Sequence, residues 1–392
     1  MPGPSSDGFP AGAVITGAAE AGVAFDCGMA AIDLAVETAL QALDDAGLTA
    51  ADVDALLVAK GADLVPADRP TLELAEHLGL TLDRTDTTLA GGASPVVQIM
   101  HAAEAVAAGR CRTALVVYAS TQASSRSRRL GGHARPAAHR SAQLEAAAGL
   151  LSPIGVNALA AARHMYEFGT TLDQLGMVAY SDRSWATRNP AALRREPLTP
   201  EQIAASPPIA EPLRRADCCL ITDGAAAVVV ERAGRRDARP VTLAGWAEAH
   251  RQYSLFGAAG LTHTLAARTG PAALDMAGID VDDVGLVQLY DAFSILPLVL
   301  LEDLGFCPKG KGGQLLADGV TLPGGRLPMN TQGGSLSHCH PGYYGLFLVV
   351  EAVRQLRREA GDRQVDADWA LCHAAGGGAF GGSQATLVLG AT

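Results

Sequence analysis

The sequence predicts an α/β protein made of two duplicated βαβαβ-type halves with mixed sheets, plus a loop domain inserted into the first half. Three observations predict it. The 392 residues are 48% apolar but only 5% aromatic, with 44 Gly and 21 Pro, the profile of small aliphatic side chains packed around many turns. A stretch beginning Ala42-Leu43-Asp44-Asp45-Ala46-Gly47 and ending Asp52-Val53 recurs as Ala273-Leu274-Asp275-Met276-Ala277-Gly278 to Asp283-Val284, with seven of twelve positions identical at an offset of 231. Helical patterns alternate with near-continuously apolar strands, which marks sheets covered on both faces and mostly parallel pairing.

Each copy of the repeat reads as an Ala/Leu-rich helix stopped by a glycine, then a turn carrying an Asp, then an apolar strand, 55–59 and 285–290. In the first half a glycine turn at Gly91-Gly92 opens a helix to Ala108, and 114–119 is a buried strand. In the second half Gly333-Gly334 and His340-Pro341-Gly342 precede a helix over 346–357 and a strand over 369–373. Between 121 and 206 the pattern is irregular, with helices at 157–168 and 172–187, and Asp223-Gly224 enters the strand that closes the first half. The predicted units are therefore 1–232, including the loop domain at about 121–206, and 240–392.

Charge and composition exclude several classes. Thirty Lys plus Arg against 41 Asp plus Glu give a net charge of −11, which repels polyanions and argues against nucleic-acid binding. The longest strongly apolar run, Ile295 to Leu301, is too short to span a bilayer, and the first basic residue is Lys60, so a cytoplasmic protein is expected. Seven scattered Cys without CxxC pairs are expected as free thiols, with no metal site.

The motifs Asp223-Gly224-Ala225-Ala226-Ala227, Gly305-Phe306-Cys307-Pro308-Lys309-Gly310, and Leu327-Pro328-Met329-Asn330-Thr331 with Gly333-Gly334 resemble those of the thiolase superfamily, specifically the sterol-carrier-protein type. The resemblance extends over nearly the whole chain and implies the thiolase fold. Its departures carry the functional reading. Thiolases of this type place a nucleophilic Cys seventeen residues before the glycine that ends the helix; counting back from Gly109 gives Gly92. The second thiolase Cys falls near Ala374, two places from Cys372. Where the family carries Asn-Glu-Ala-Phe or His-Asp-Ala-Phe, this chain has Tyr290-Asp291-Ala292-Phe293, and the family's His-Pro survives as His340-Pro341, followed by Tyr343 and Tyr344.

This combination is similar to the thiolase-fold aldolases of steroid side-chain degradation. That likeness implies a lyase without a thiolase nucleophile, cleaving a β-hydroxyacyl-CoA with a tertiary hydroxyl to a ketone and a short acyl-CoA such as propionyl-CoA. Tyr290 and Tyr344 are the expected proton-transfer pair and His340 an oxyanion donor or orienter. Gly92, Tyr343, Asp291, His338, His373 and Gly377 are expected around the substrate. Alternatives stand beside these roles: Tyr290 as a strand-end core aromatic, Tyr343 instead of Tyr344, and Asp291 either polarising a tyrosine or capping the helix near Phe293. His338 and His373 also fit structural roles.

Arg126, Arg128 and Arg129, in a cluster with His133, Arg135, His139 and Arg140 that holds no acid, suit the phosphates of coenzyme A. Coenzyme A is expected as part of the substrate and no cofactor as covalently bound. The resemblance further implies a homodimer, paired through the strand 114–119, in complex with a small OB-fold/zinc-ribbon subunit. Two other functions fit: a non-catalytic acyl-CoA- or lipid-binding subunit, or an acyltransferase using a displaced Cys such as Cys307 or Cys339.

Overall fold

The structure, a computed structural model, describes residues 12–59, 69–127, 140–150, 152–235, 239–251, 254–255, 260–376 and 380–392. The first half runs β1 (Ala13–Ala24), α1 (Ala31–Asp45), β2 (Ala55–Val58), α2 (Pro70–Leu78), β3 (Arg84–Asp86), α3 (Ser94–Ala107) and β4 (Thr113–Ser120). Four helices follow, α4 (Arg140–Ala147), α5 (Pro153–Phe168), α6 (Leu172–Ala186) and α7 (Pro200–Ala204), with a small hairpin, β5 (Pro208–Ala210) and β6 (Leu213–Arg214), before β7 (Asp223–Arg232). The second half runs β8 (Val241–His250), α8 (Ala266–Ala277), β9 (Leu286–Leu289), α9 (Ile295–Asp303), α10 (Gly312–Ala317), α11 (Gly345–Leu356), β10 (Trp369–Gly376) and β11 (Ser383–Ala391).

The sheet order β3-β2-β4-β7-β1-β8-β11-β10-β9 exposes the duplication. Apart from β3 it reads the same from both ends once β1 is equated with β8, β2 with β9, β4 with β10 and β7 with β11. The two half-sheets meet where β1 pairs antiparallel with β8, through Val14–Thr242 and Ile15–Val241. Pairing is parallel only for β2 with β3, β2 with β4, and β9 with β10; the remaining pairs are antiparallel, so the expectation of mostly parallel pairing is corrected. Continuous apolar strands reflect burial on both faces, which helices and the other half supply here whatever the strand direction.

The repeat has a packing reason. A Cβ at Gly17 in β1 would sit 2.0 Å from the Ala42 carbonyl oxygen of α1, and one at Gly245 in β8 would sit 2.0 Å from the Ala273 carbonyl oxygen of α8. Glycine on the strand and alanine on the helix let each pair of backbones touch. Both helices end at a left-handed glycine, Gly47 or Gly278, and in the turns that follow Asp52 and Asp283 each accept the backbone N–H three residues back, at 2.9 and 2.8 Å.

Strand β4 sends Leu115, Val117 and Ala119 into one core and Ala114, Val116 and Tyr118 into the other, as period-two alternation requires. It lies between β2 and β7, so 114–119 is an interior strand and cannot pair with a second copy; the first-half edge is β3. Helices α3 and α11 pack on each other and touch strands of both halves, forming a shared inner layer. Their N-termini meet, since a Cβ at Gly345 would lie 2.7 Å from the Gly92 carbonyl oxygen.

Candidate active site

The meeting point of α3 and α11 is where the motifs converge. Gly92 lies in the tight turn entering α3, and Tyr290 leaves the end of β9 with its N–H donating to the His373 carbonyl at 2.9 Å. A Cβ at Gly92 would fall 2.4 Å from both Cζ and Oη of Tyr290 and 2.5 Å from the Ala375 carbonyl oxygen. The phenol therefore occupies the space that a side chain at position 92 would need. Position 374, the other expected thiol site, is a buried alanine whose Cβ would lie 2.9 Å from one added at Gly345.

Tyr290 Oη donates to the Gly342 carbonyl at 2.9 Å and lies 3.3 Å from His340 Nε2. Tyr344, fully buried, packs edge-on to Tyr290 with ring centres 6.3 Å apart and is stacked near His340 at 5.8 Å and on Phe347 at 5.5 Å. Its Oη accepts from Gln332 Nε2 at 3.0 Å. Burial first, and then the neighbouring Cys339, Asp291, Asp182 and Glu20, hold the Tyr344 phenol well above its ordinary range. Tyr343, half-buried, stacks on Tyr118 instead, at 5.5 Å. Of the two adjacent tyrosines, it is Tyr344 that joins Tyr290 and His340.

Residues that sequence reasoning passed over hold this loop. Tyr118 Oη donates to the Pro341 carbonyl at 2.6 Å, Gln122 Nε2 donates to the His340 carbonyl at 2.6 Å, and Thr222 Oγ1 accepts the His340 N–H at 3.0 Å. All three come from the first half, so their role is invisible to any local motif. The segment 327–334 offers one signal: Asn330, three residues before Gly333, has φ 51° and bonds both backbone groups of Leu289, tying that segment to the end of β9.

Other expected residues have different partners. Asp291 does not cap the helix near Phe293, since α9 begins without a side-chain cap; its Oδ2 accepts the Ser335 N–H at 2.6 Å. His338 has both ring nitrogens against protein groups, Glu20 at 3.3 Å and Asn189 at 3.4 Å, with Arg354 completing a buried ion pair to Glu20 at 2.9 Å. His373 bonds Thr386 at 2.8 Å and also Gln384, and burial pulls its imidazole down to about 4, so it is neutral core. Arg126 is exposed, four residues past Gln122. Gly377, Arg128, Arg129, His133, Arg135 and His139 lie outside the described residues.

The seven Cys form no disulfide, and the thiols that could serve as a displaced nucleophile are poorly disposed to react. Burial pushes Cys339 well above the usual thiol range, with Glu20 and Asp291 adding to it, and pushes Cys307 up to about 12 and Cys372 up as well. A thiol is a nucleophile only as its thiolate. Among the described residues no cluster of His, Cys, Asp and Glu could hold a metal ion, and no helix is long and apolar enough to cross a membrane.

Comparison with known proteins agrees with this fold. The family described as thiolase C-terminal domain-like matches residues 247–391. Acetyl-CoA acetyltransferase of Methanothermobacter thermautotrophicus is 34% identical over 88% of this chain and 91% of its own. The 17-hydroxy-3-oxo-4-pregnene-20-carboxyl-CoA lyase of Mycobacterium tuberculosis is likewise 34% identical, over 88% and 91%. The solved structure of the Ltp2-ChsH2(DUF35) aldolase superposes with a TM-score of 0.87 at 30% identity, covering 98% of this chain and 99% of that one. The chain belongs to the thiolase superfamily, in its sterol-carrier-protein-type branch.

Proposed function

We propose that the protein is a carbon–carbon lyase that cleaves a β-hydroxyacyl-CoA by retro-aldol chemistry. The single observation that carries it is the phenol of Tyr290 standing over Gly92, where a thiolase would hold its sulfur. Claisen and aldol cleavage both pass through a thioester enolate, but only the first needs a covalent acyl-enzyme. An aldolase needs a base for the hydroxyl proton, donors for the enolate oxygen, and an acid for the enolate carbon.

The site divides these tasks. The Tyr290–His340 couple faces the hydroxyl: its base takes the hydroxyl proton, the carbonyl of the product ketone forms, and the Cα–Cβ bond breaks with its electron pair passing to the thioester enolate. Tyr344 stays neutral because burial disfavours its phenolate, and accepting from Gln332 leaves its O–H proton available. It returns a proton to the enolate carbon, releasing the shorter acyl-CoA; proton and electron counts balance without a co-reactant. The merging N-termini of α3 and α11 add positive ends of two helix dipoles beside the developing enolate.

Two relatives are named for steroid side-chain cleavage, the lyase above and a steroid side-chain-cleaving aldolase of Thermomonospora curvata, 33% identical over 89% of this chain and 91% of its own. They support a steroid-derived substrate bearing a tertiary hydroxyl. The two-component neighbour supports a partner subunit, for which the family resemblance implies an OB-fold. Arg126 and the arginines after it supply the charge for the coenzyme A phosphates. Incubation of the protein and its partner with a tertiary β-hydroxyacyl-CoA should release ketone and acyl-CoA. Absence of turnover in the assembled wild type, or full turnover in Tyr290→Phe combined with Tyr344→Phe, refutes the proposal.

A further inference from the structure

Behind the two tyrosines lies a second pair of groups, which the proposed reaction does not consume. Asp182, on α6, and Asp291, next to Tyr290, both press on Gly334. A Cβ at Gly334 would meet Asp291 Oδ2 at 2.3 Å and Asp182 Oδ2 at 2.5 Å, so the two oxygens lie within about 5 Å of each other. Both carboxyls are fully buried and close enough to act on one another directly. Gly334, with φ 60°, is the residue whose missing side chain lets them meet.

No cation neutralises the pair by contact among the described residues. Arg183 directs Nε to Ser337 Oγ at 2.9 Å and Nη1 to the Glu196 carbonyl at 2.9 Å, acting on Asp182 only through space. Two carboxylates this close in the interior cannot both ionise, because each raises the cost of the other's charge. Their environments then decide where the proton sits. Asp291 accepts the Ser335 N–H at 2.6 Å and so holds the negative charge. Neither oxygen of Asp182 receives a well-formed hydrogen bond, the situation of a carboxylic acid giving its proton to a neighbour.

We propose that Asp182 and Asp291 hold one proton between them, and that this singly charged dyad is a positioning unit that keeps Tyr344 protonated as the acid of the tyrosine pair. The assignment of Tyr344 as acid rests on the lyase reading; the dyad itself does not. The connections are short. Asp291 follows Tyr290 in the chain, and its bond to Ser335 anchors the turn that runs into Cys339, His340 and Tyr344. The Tyr290 and His340 rings pack on Tyr344 directly, and the groups whose charge opposes a phenolate there are Cys339, Asp291, Asp182 and Glu20.

Infrared spectroscopy of the wild-type protein should show a buried protonated-carboxyl band persisting at neutral and mildly alkaline pH. Asp182→Asn and Asp291→Asn should each abolish the band while leaving one ionised carboxylate held by an amide, and the alkaline titration of Tyr344, read as phenolate absorbance against Tyr344→Phe, should stay in place. Asp182→Asn combined with Asp291→Asn removes the charge and should move that titration to lower pH, taking the basic limb of the lyase pH profile with it. A wild type without the band, or a band that survives Asp182→Asn, overturns the shared proton. An unmoved Tyr344 titration in the folded double variant overturns its effect on the tyrosine. Should the double variant not fold, the band in the single variants decides. The infrared and absorbance readings need no turnover, so loss of the lyase reading and loss of the dyad are separately visible.

Discussion

Replacing Gly92 by Cys, the residue a thiolase carries there, tests whether positions 92 and 290 share one space. The new Cβ would meet Tyr290 at 2.4 Å on one side and the Ala375 carbonyl oxygen at 2.5 Å on the other. The carbonyl belongs to β10, whose Ala375 is paired with Gln384 of β11, so it is Tyr290 that swings out. That costs about 1–3 kcal/mol of overpacking, and about 0.5–1.5 kcal/mol for each of the bonds to Gly342 and His340 that is lost. Gly92→Cys alone should therefore destabilise by about 2–6 kcal/mol when both bonds are lost, read as a fall in the denaturant midpoint at constant slope. With Tyr290→Asn already in place the ring's share of the cost is gone and only the approach to the Ala375 carbonyl remains, so the same substitution should cost at least about 1 kcal/mol less than in the wild type. Two single-variant costs that add to the double within about 0.5 kcal/mol would refute the shared-space argument.

Three other outcomes follow from particular contacts. Tyr118→Phe removes the 2.6 Å bond to the Pro341 carbonyl; it should cost about 1 kcal/mol of stability and lower kcat about tenfold with KM nearly unchanged, because the His340 loop loses its orientation. Gly245→Ala drives a methyl to 2.0 Å from the Ala273 carbonyl oxygen and should destabilise by at least about 3 kcal/mol in thermal or denaturant unfolding, with Gly17→Ala behaving alike. His101 is raised to about 10 by its hydrogen bond to Asp86, then by Glu248. A raised folded value means that its contribution is complete below its ordinary value of 6.5 and disappears as pH rises through about 10. The stability lost in His101→Gln should therefore be constant in acid and vanish in alkali; a difference that grows with pH contradicts the ion pair.

Much of the architecture was legible along the chain because it is written in local rules. The repeat at 42–53 and 273–284, its capping glycines and aspartates, and the apolar strands depend on residues a few positions apart, so helix and strand boundaries fell within a few residues of expectation. The identity of the odd residues, Gly92 and Tyr290, was also visible, since each departs from a family motif at a known place. Strand direction and strand order were not. An apolar strand buried on both faces reads the same in parallel and antiparallel surroundings, and the family resemblance that implied pairing of 114–119 with a second copy gave way to its place between β2 and β7.

What the sequence determined by itself is the set of candidates: Tyr290, Tyr343, Tyr344, His340 and a glycine at position 92. Tertiary structure alone decided which of them meet. Tyr343 and Tyr344 are neighbours in the chain, yet one stacks on Tyr118 and the other on the Tyr290–His340 pair, because a helix start turns successive side chains about 100° apart. Likewise Asp182 and Asp291 stand on elements from opposite halves and become a pair only where Gly334 leaves room. Contacts between remote segments are set by packing, and packing is a property of the folded whole rather than of any stretch of it.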